Sequence, residues 1–280
     1  MEIGVMMFPT DRSIQPVPLA VEAEHRGFQS LWFPEHSHIP SSRVTPWGGR
    51  EGAPPLPEEY WRSHDQFVAL AAAAGATSTI KLATGITLVA QRDPLWLAKE
   101  VASLDMISGG RFILGIGYGW NVEEMANHGL AYGDRRAVVR ENILACKRIW
   151  TDDEFHFSGE HVTIEPSWSW PKPIQRPHPP ILMGANPGPK TMAHIIEYCD
   201  GWMPIHGRYD IPAKLDDVTK AWADGGRAPG DFRWGVFACP AEREWVDRYR
   251  EAGAGYIAFA LPSNDADDVL PRLDKMANLL

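Results

Sequence analysis

The sequence predicts an α/β protein of the (β/α)8, or TIM-barrel, class. Three observations lead there. β-rich and helical stretches alternate from end to end of the 280 residues, giving eight strand–helix units. Several strand candidates are continuously apolar, as strands are when helices cover one face and a packed interior the other. Each unit requires a right-handed crossover, and eight of them bring the last strand back beside the first. A doubly wound open sheet is the alternative; eight regular repeats over this length favour the closed barrel, read as one domain over residues 1–280.

The units run in order. "EIGVMMF" (2–8) is a first strand closed by Pro9, and "PVPLAVEAEHRG" (16–27) carries Leu19, Ala20 and Ala23 at helical spacing. "SLWF" (30–33) is the second strand. A helix over 63–77 follows, with Ser63 as its expected N-cap. "IKLATGITLV" (80–89) reads as one uninterrupted third strand. The next helix, 93–110, is sharply bounded: Asp93 caps it, Pro94 opens it, and Gly109 and Gly110 stop it. Strand four is 111–117, followed by a short turn or helix at 122–125 and a long helix at 134–150. Strands at 180–185, 201–205, 232–238 and 256–261 alternate with helices at 188–199, 211–226, 242–253 and 265–280.

Two Pro- and Gly-rich insertions, 37–61 after strand two and 151–179 before strand five, depart from the plain barrel. Ser158-Gly159 sits between two short alternating runs and predicts a hairpin. Trp47, Tyr60, Trp61, Trp168 and Trp170 need cover, which argues against disorder. The first insertion leaves a strand's C-terminal end and is expected to act as a substrate lid. The second is expected to seal the barrel and to serve as a subunit contact.

Composition narrows the function classes. A net charge of −9 argues against a general nucleic-acid binder. Cys146, Cys199 and Cys239 are odd in number and form no C-x-x-C, which suits a reduced, cytoplasmic setting. The longest apolar stretch, 67–74, is far too short to span a bilayer.

In a barrel of this kind the active site forms where strands end and βα-loops begin. The residues there are Glu35 and His36, Thr84-Gly85-Ile86-Thr87, Gly117 to Asn121, Gly184-Ala185-Asn186 and His206. The set is poor in acid–base side chains and rich in glycine, as fits an organic cofactor that carries the chemistry itself. "GANPGP" (184–189) opens into a helix, so its amides, with Gly188 and Lys190, form a candidate phosphate site. The alternating Gly115, Gly117 and Gly119 weaken a strand unless something must come close; the expectation is a planar cofactor lying on bare backbone. His36-x-His38 could bind metal only with further ligands, and none is evident, so no metal is expected. His36 at the mouth is instead the candidate proton donor or orienting group.

The stretch "TGITLVAQRDPLWLAKEVASLDMISGGRFILGIGYGWN" (84–121) strongly resembles the signature of the luciferase-like flavin and deazaflavin oxidoreductases. The likeness continues through "RENILACKRIWTDDEFHFSGEHVTI", "PKPIQRPHPPILMGA" and "DGWMP" and keeps the order of motifs. "LPEEYW" and "QRDP" look most like the branch that uses coenzyme F420, a 5-deazaflavin common in actinobacteria; FMN-dependent monooxygenases share the fold. The resemblance implies an oxidoreductase with His36 and Glu35 in the catalytic position. It implies cofactor contacts from Thr84, Gly85, Ile86, Gly117, Tyr118, Gly119, Asn121, Gly184, Ala185, Asn186 and Gly188, with a non-prolyl cis peptide at Gly85–Ile86. It also implies a homodimer. Tyr118 stands where sugar-phosphate dehydrogenases of the family carry a glutamate, and the cations that grip a substrate phosphate are not evident. A small apolar or aromatic substrate against Trp47, Trp120 and His206 is expected. An FMN- and oxygen-using monooxygenase, a metal-dependent barrel hydrolase and a silent cofactor carrier remain as other readings.

Overall fold

The ring of strands closes through the pairing of β3 with β5 in a computed structural model that describes residues 1–280. In chain order the elements are β1 (Glu2–Met6), α1 (Pro16–His25), β2 (Ser30–Phe33), α2 (Glu59–Arg62), α3 (Gln66–Ala76), β3 (Lys81–Thr84), β4 (Thr87–Leu88) and α4 (Pro94–Ile107). There follow β5 (Phe112–Gly117), α5 (Val122–Asn127), α6 (Arg135–Thr151), β6 (Phe155–Ser158), β7 (Thr163–Ser167), β8 (Ile181–Met183) and α7 (Pro189–Tyr198). The chain ends with β9 (Gly201–Trp202), α8 (Ile211–Asp224), β10 (Arg233–Cys239), α9 (Arg243–Glu251), β11 (Tyr256–Ala260) and α10 (Ala266–Ala277). The strand order β3-β2-β1-β11-β10-β9-β8-β5, all parallel, makes the closed (β/α)8 barrel that the alternation predicts.

Alternation along each strand divides the core in two. Trp32, Ala83, Ile113, Leu182, Met203, Phe237, Tyr256 and Ala258 plug the barrel interior. Their neighbours Leu31, Leu82, Leu114, Ile181, Val236 and Ile257 face outward into the larger layer beneath the helices. The interior is filled rather than open, so any ligand must sit at a mouth.

Local signals placed most helices correctly. Asp93 accepts from the amides of Leu95 and Trp96 at 2.9 and 3.0 Å, with Pro94 in the first turn. Gly109 and Gly110 follow the helix at φ 67° and 83°, conformations glycine adopts freely. One cap differs. Ser63 ends the short α2 and does not open α3; Asp65 does, accepting from Val68 N at 2.9 Å. A carboxylate two residues later competes well with a serine hydroxyl for the same free amides.

The third strand is not continuous. β3 stops at Thr84, the Gly85–Ile86 peptide is cis, and the two-residue β4 resumes pairing with β5. The kinked segment presses onto β5, where Thr84 Oγ1 donates to the Gly115 carbonyl at 2.8 Å. A Cβ on Gly115 would lie 2.1 Å from the Thr84 carbonyl oxygen, and one on Gly117 would lie 2.5 Å from Ile86 Cδ1. At Gly115 and Gly117 the protein's own neighbouring strand comes close to the bare backbone.

The insertion 151–179 contains the predicted hairpin, β6 paired antiparallel with β7. Glu141 of α6 holds its tip by accepting from the amides of Glu160, His161 and Val162 at 2.8–2.9 Å. All three cysteines are buried and unbridged. No helix is long and apolar enough to cross a membrane.

Candidate active site at the C-terminal mouth

A cleft of about 550 Å³ opens at the C-terminal ends of the barrel strands. Its floor is the kinked segment. Gly85 and Ile86 lie there beside Phe237, and a Cβ on Gly85 would stand 2.3 Å from Phe237 Cζ, so only glycine fits beneath that ring. Gly117, Tyr118 and Gly119 of the β5 end, and Gly184, Ala185 and Asn186 after β8, form one wall. Ala238, the one non-glycine residue with positive φ (53°), lines the opposite side.

His36 follows β2 and is nearly buried. Its Nδ1 lies 2.8 Å from Oε2 of Glu124, which has no exposed surface; Oε1 of Glu124 accepts from Ser37 N at 3.3 Å. Against the carboxylate form of Glu124, which only accepts, Nδ1 is the donor nitrogen of the ring. No other protein group bonds the ring, so Nε2 is the free atom. The sequence builds this pair simply. Gly119 turns the chain at φ 76°, Asn121 caps α5 by accepting from Glu124 N at 3.3 Å, and the first turn of that helix aims Glu124 at His36. Aromatic rings close round the imidazole: Tyr60 at 5.0 Å, Trp120 at 5.7 Å and Phe8 at 6.5 Å between centroids, with Trp47 edge-on to Tyr60. Trp47 and Tyr60 come from the first insertion, which therefore walls the cleft.

Glu35 also lines the cleft, but its oxygens are engaged. One accepts from Leu88 N at 2.7 Å and the other from Arg92 Nε at 2.7 Å. Burial disfavours the charge on Arg92, yet Glu35, Glu100 and Asp65 outweigh it and raise its pKa. Glu35 thus lines the cleft beside His36 while it anchors the turn after β4.

Other expected contacts divide. Gly85, Ile86, Gly117, Tyr118, Gly119, Gly184, Ala185, Asn186, Trp47 and Trp120 line the cleft. Thr84 and Asn121 are fully buried behind its wall, engaged with Gly115 and Glu124 respectively. Gly188 is the N-cap of α7, and Lys190 is exposed; neither lines the cleft. His206 turns outward, with Nδ1 2.8 Å from the Tyr249 hydroxyl and its ring against Trp245. Burial and then Arg248 lower its pKa. His36 and His38 part company, since His38 bonds Ser37 and Asn127. No group of three or more His, Cys, Asp or Glu side chains is arranged to hold a metal.

Sequence reasoning missed Glu124 and the cations. Arg135 and Arg136, in the first turn of α6, and Arg208, after β9, line the cleft, and none has a carboxylate partner. Arg136 lies over the Tyr118 ring at 4.1 Å and donates to Thr191 Oγ1 at 3.2 Å, while Tyr118 bonds His194 at 2.8 Å. The buried Nε of Arg135 has no hydrogen-bond partner. An unpaired guanidinium in a chain of net charge −9 wants an anion. Arg135 Nη1 donates to the Tyr132 carbonyl at 2.6 Å, so what the cleft offers a phosphorylated planar cofactor is an apolar floor at one end and guanidinium groups without carboxylate partners at the other.

A family model described as luciferase-like monooxygenase matches residues 14–276. An uncharacterized protein of Mycobacterium tuberculosis is 37% identical over 281 residues, covering 99% of this chain and 98% of its own. The FMNH2-dependent dimethylsulfone monooxygenase of Pseudomonas putida is 30% identical over 204 residues, 71% of this chain and 54% of its own. The F420-dependent hydroxymycolic acid dehydrogenase of Mycobacterium tuberculosis is 28% identical over 235 residues, 81% of this chain and 58% of its own. These two relatives of named activity are thus matched over little more than half their length. A solved monooxygenase from Streptomyces bottropensis superposes with a TM-score of 0.78 at 20% identity, covering 100% of this chain and 98% of that one.

Proposed function

Because this chain belongs to the luciferase-like monooxygenase family, we propose that it is an oxidoreductase whose C-terminal cleft takes coenzyme F420 and a small apolar or aromatic substrate. The observation that carries the reading is the union in one cleft of His36, with Nε2 free, and of guanidinium groups without carboxylate partners. F420 dependence is supported by the likeness of "LPEEYW" and "QRDP" to that branch and by the named cofactor of the mycobacterial dehydrogenase.

When bound, the deazaflavin supplies the site where a hydride is taken up or given. The chain does the rest. Arg135 and Arg136 hold the phosphate end, and Ile86 and Phe237 support the ring end. Phe8, Tyr60 and Trp120 exclude water around the reacting atoms. Glu124 keeps the proton on Nδ1 of His36, so Nε2 accepts or returns the substrate proton. Trp47 and Trp120 contact the substrate; His206, turned toward α9, has no part in this.

A second reading keeps the cleft and uses FMN with oxygen. The Pseudomonas putida relative favours it. Fluorescence titration with F420 and with FMN separates the two: F420 binding markedly tighter than FMN is the expected result, and the reverse order selects the monooxygenase reading.

The chain acts as a homodimer in this account. Trp96, Trp168 and Trp170 are 69%, 76% and 58% exposed, and Lys99, one turn beyond Trp96, donates to the Trp170 carbonyl. That contact joins α4 and the second insertion into one face with unusual apolar area, which a second copy would cover.

A further inference from the structure

Two of the three arginines that line the cleft are tied to the chain. Arg135 donates to the Tyr132 carbonyl at 2.6 Å, and Arg136 to Thr191 Oγ1 at 3.2 Å. The third, Arg208 in the loop after β9, has no side-chain hydrogen bond and no ion pair within the protein. The charged group that acts on it is Arg50 of the first insertion, which has the same sign and is itself without a carboxylate. Burial and then Arg50 lower the pKa of Arg208, whereas Glu197, hydrogen-bonded to Arg140, raises the pKa of that arginine. Two segments far apart in sequence thus bring like charges together at one rim, in a chain of net charge −9. That arrangement costs energy until an anion enters between them.

We infer that Arg208 sets the substrate specificity of the cleft, and that the substrate carries a carboxylate, with its apolar or aromatic body against Trp47 and Tyr60. The inference deepens the proposed function and rests on its reading of this cleft as the seat of cofactor and substrate.

The placement of the residues supports it. Tyr60 stands 5.0 Å from the His36 ring and feels the charge of Arg208, so it lies between the reacting end of the cleft and the free cation. Trp47 is edge-on to Tyr60 at 5.8 Å. Next along the insertion, Gly48 rests on the guanidinium: a Cβ there would stand 3.5 Å from both terminal nitrogens of Arg208. The insertion therefore holds the Arg208 head at the cleft, while the side chain stays open enough to solvent for an anion to reach it. Ile205 pairs with Phe237, which puts the β9 loop on the Ala238 side. Arg135 and Arg136 enter from the other side, where Arg136 lies over Tyr118. The cleft thus has two separate cationic places, one for the cofactor phosphate and one left for the substrate. A carboxylate suits the second, because it is planar and a guanidinium takes both its oxygens in one plane.

Calorimetric titration of the whole chain tests this with probes that differ only in charge: benzoate, phenylacetate and 3-phenylpropionate, each against its primary amide. At least one acid should bind about tenfold or more tighter than its amide, the scale of a charge-assisted hydrogen bond. Arg208→Gln should abolish that preference, and Arg135→Gln with Arg136→Gln should keep it. Arg208→Lys, which retains the charge and loses the fork, should fall between wild type and Arg208→Gln, and it answers the same question if Arg208→Gln does not fold. Affinity for F420 and for FMN should stay within about twofold in both Arg208 variants, since the two cationic places are separate. The inference is overturned if no acid is preferred over its amide, if the preference survives at Arg208, or if it disappears only with Arg135 and Arg136. Failure of the proposed function looks different: neither cofactor binds, while an acid preference that depends on Arg208 persists.

Discussion

Nδ1 of His36 and Oε2 of Glu124 lie 2.8 Å apart, with the carboxylate wholly out of solvent. The pair links the loop after β2 to the helix after β5 and leaves one ring nitrogen for chemistry. Replacing His36 by Ala should therefore lower turnover about 100-fold or more, within the range for a positioned proton-transfer group. Cofactor affinity should change little. Steady-state rates and cofactor titration on the same protein check both; undiminished turnover removes His36 from the mechanism.

The cationic end of the cleft should behave oppositely. Arg135→Gln combined with Arg136→Gln should weaken cofactor binding about tenfold or more, the scale of a lost charge-assisted hydrogen bond. Raising salt should weaken the wild type more than the variant. Equal affinity in the two proteins would place the phosphate elsewhere.

Gly115→Ala tests the kinked third strand. The added methyl meets a backbone oxygen at 2.1 Å, and backbone cannot swing aside as a side chain can. Destabilisation by about 3 kcal/mol or more is expected, the upper part of the overpacking range. Urea unfolding measures it; a neutral result means the strand is not pressed onto β5.

The base of the barrel has its own acid-sensitive joint. Burial alone would push the Glu24 carboxyl up, but the amides of Ile80, Thr79 and Ser78 donate to it and bring it down to about 2. A depressed carboxylate stabilises the fold above its unfolded pKa, and that stability is lost as pH falls through the folded value. Glu24→Gln should therefore be less stable than wild type near neutrality, and the gap should close between about pH 4.5 and about pH 2. Melting temperatures across that window show it; a gap that is constant with pH assigns the effect to packing.

The exposed tryptophans carry a solution prediction. Light scattering should give twice the chain mass of 31.2 kDa, and Trp96→Glu with Trp170→Glu should return it to the single value. A wild-type monomer contradicts the dimer.

The barrel was legible because its signals are local. "SLWF" is apolar on both faces and forms β2 as read, and Asp93-Pro94 marks the start of α4 by its own chemistry. The site was legible only in part. Asn121-x-x-Glu124 looks like an ordinary helix cap, and Asn121 does cap; nothing in that spacing tells that Glu124 points inward to His36, 88 residues away. Arg135 and Arg136 resemble surface residues of an amphipathic helix until the barrel's closure turns that first turn toward the cleft. His206 sits at a strand end as expected, but Tyr249 and Trp245 of α9 hold its ring away. The glycines of β5 announced a close approach correctly, and only tertiary structure names Thr84 and Ile86 as what approaches.

The most direct test is a crystal structure of the protein grown with F420 or with FMN. The ring is expected over Ile86 and Phe237, within reach of His36 Nε2, and the phosphate on Arg135 and Arg136. A ring bound at the N-terminal mouth, or a phosphate remote from both arginines, contradicts it.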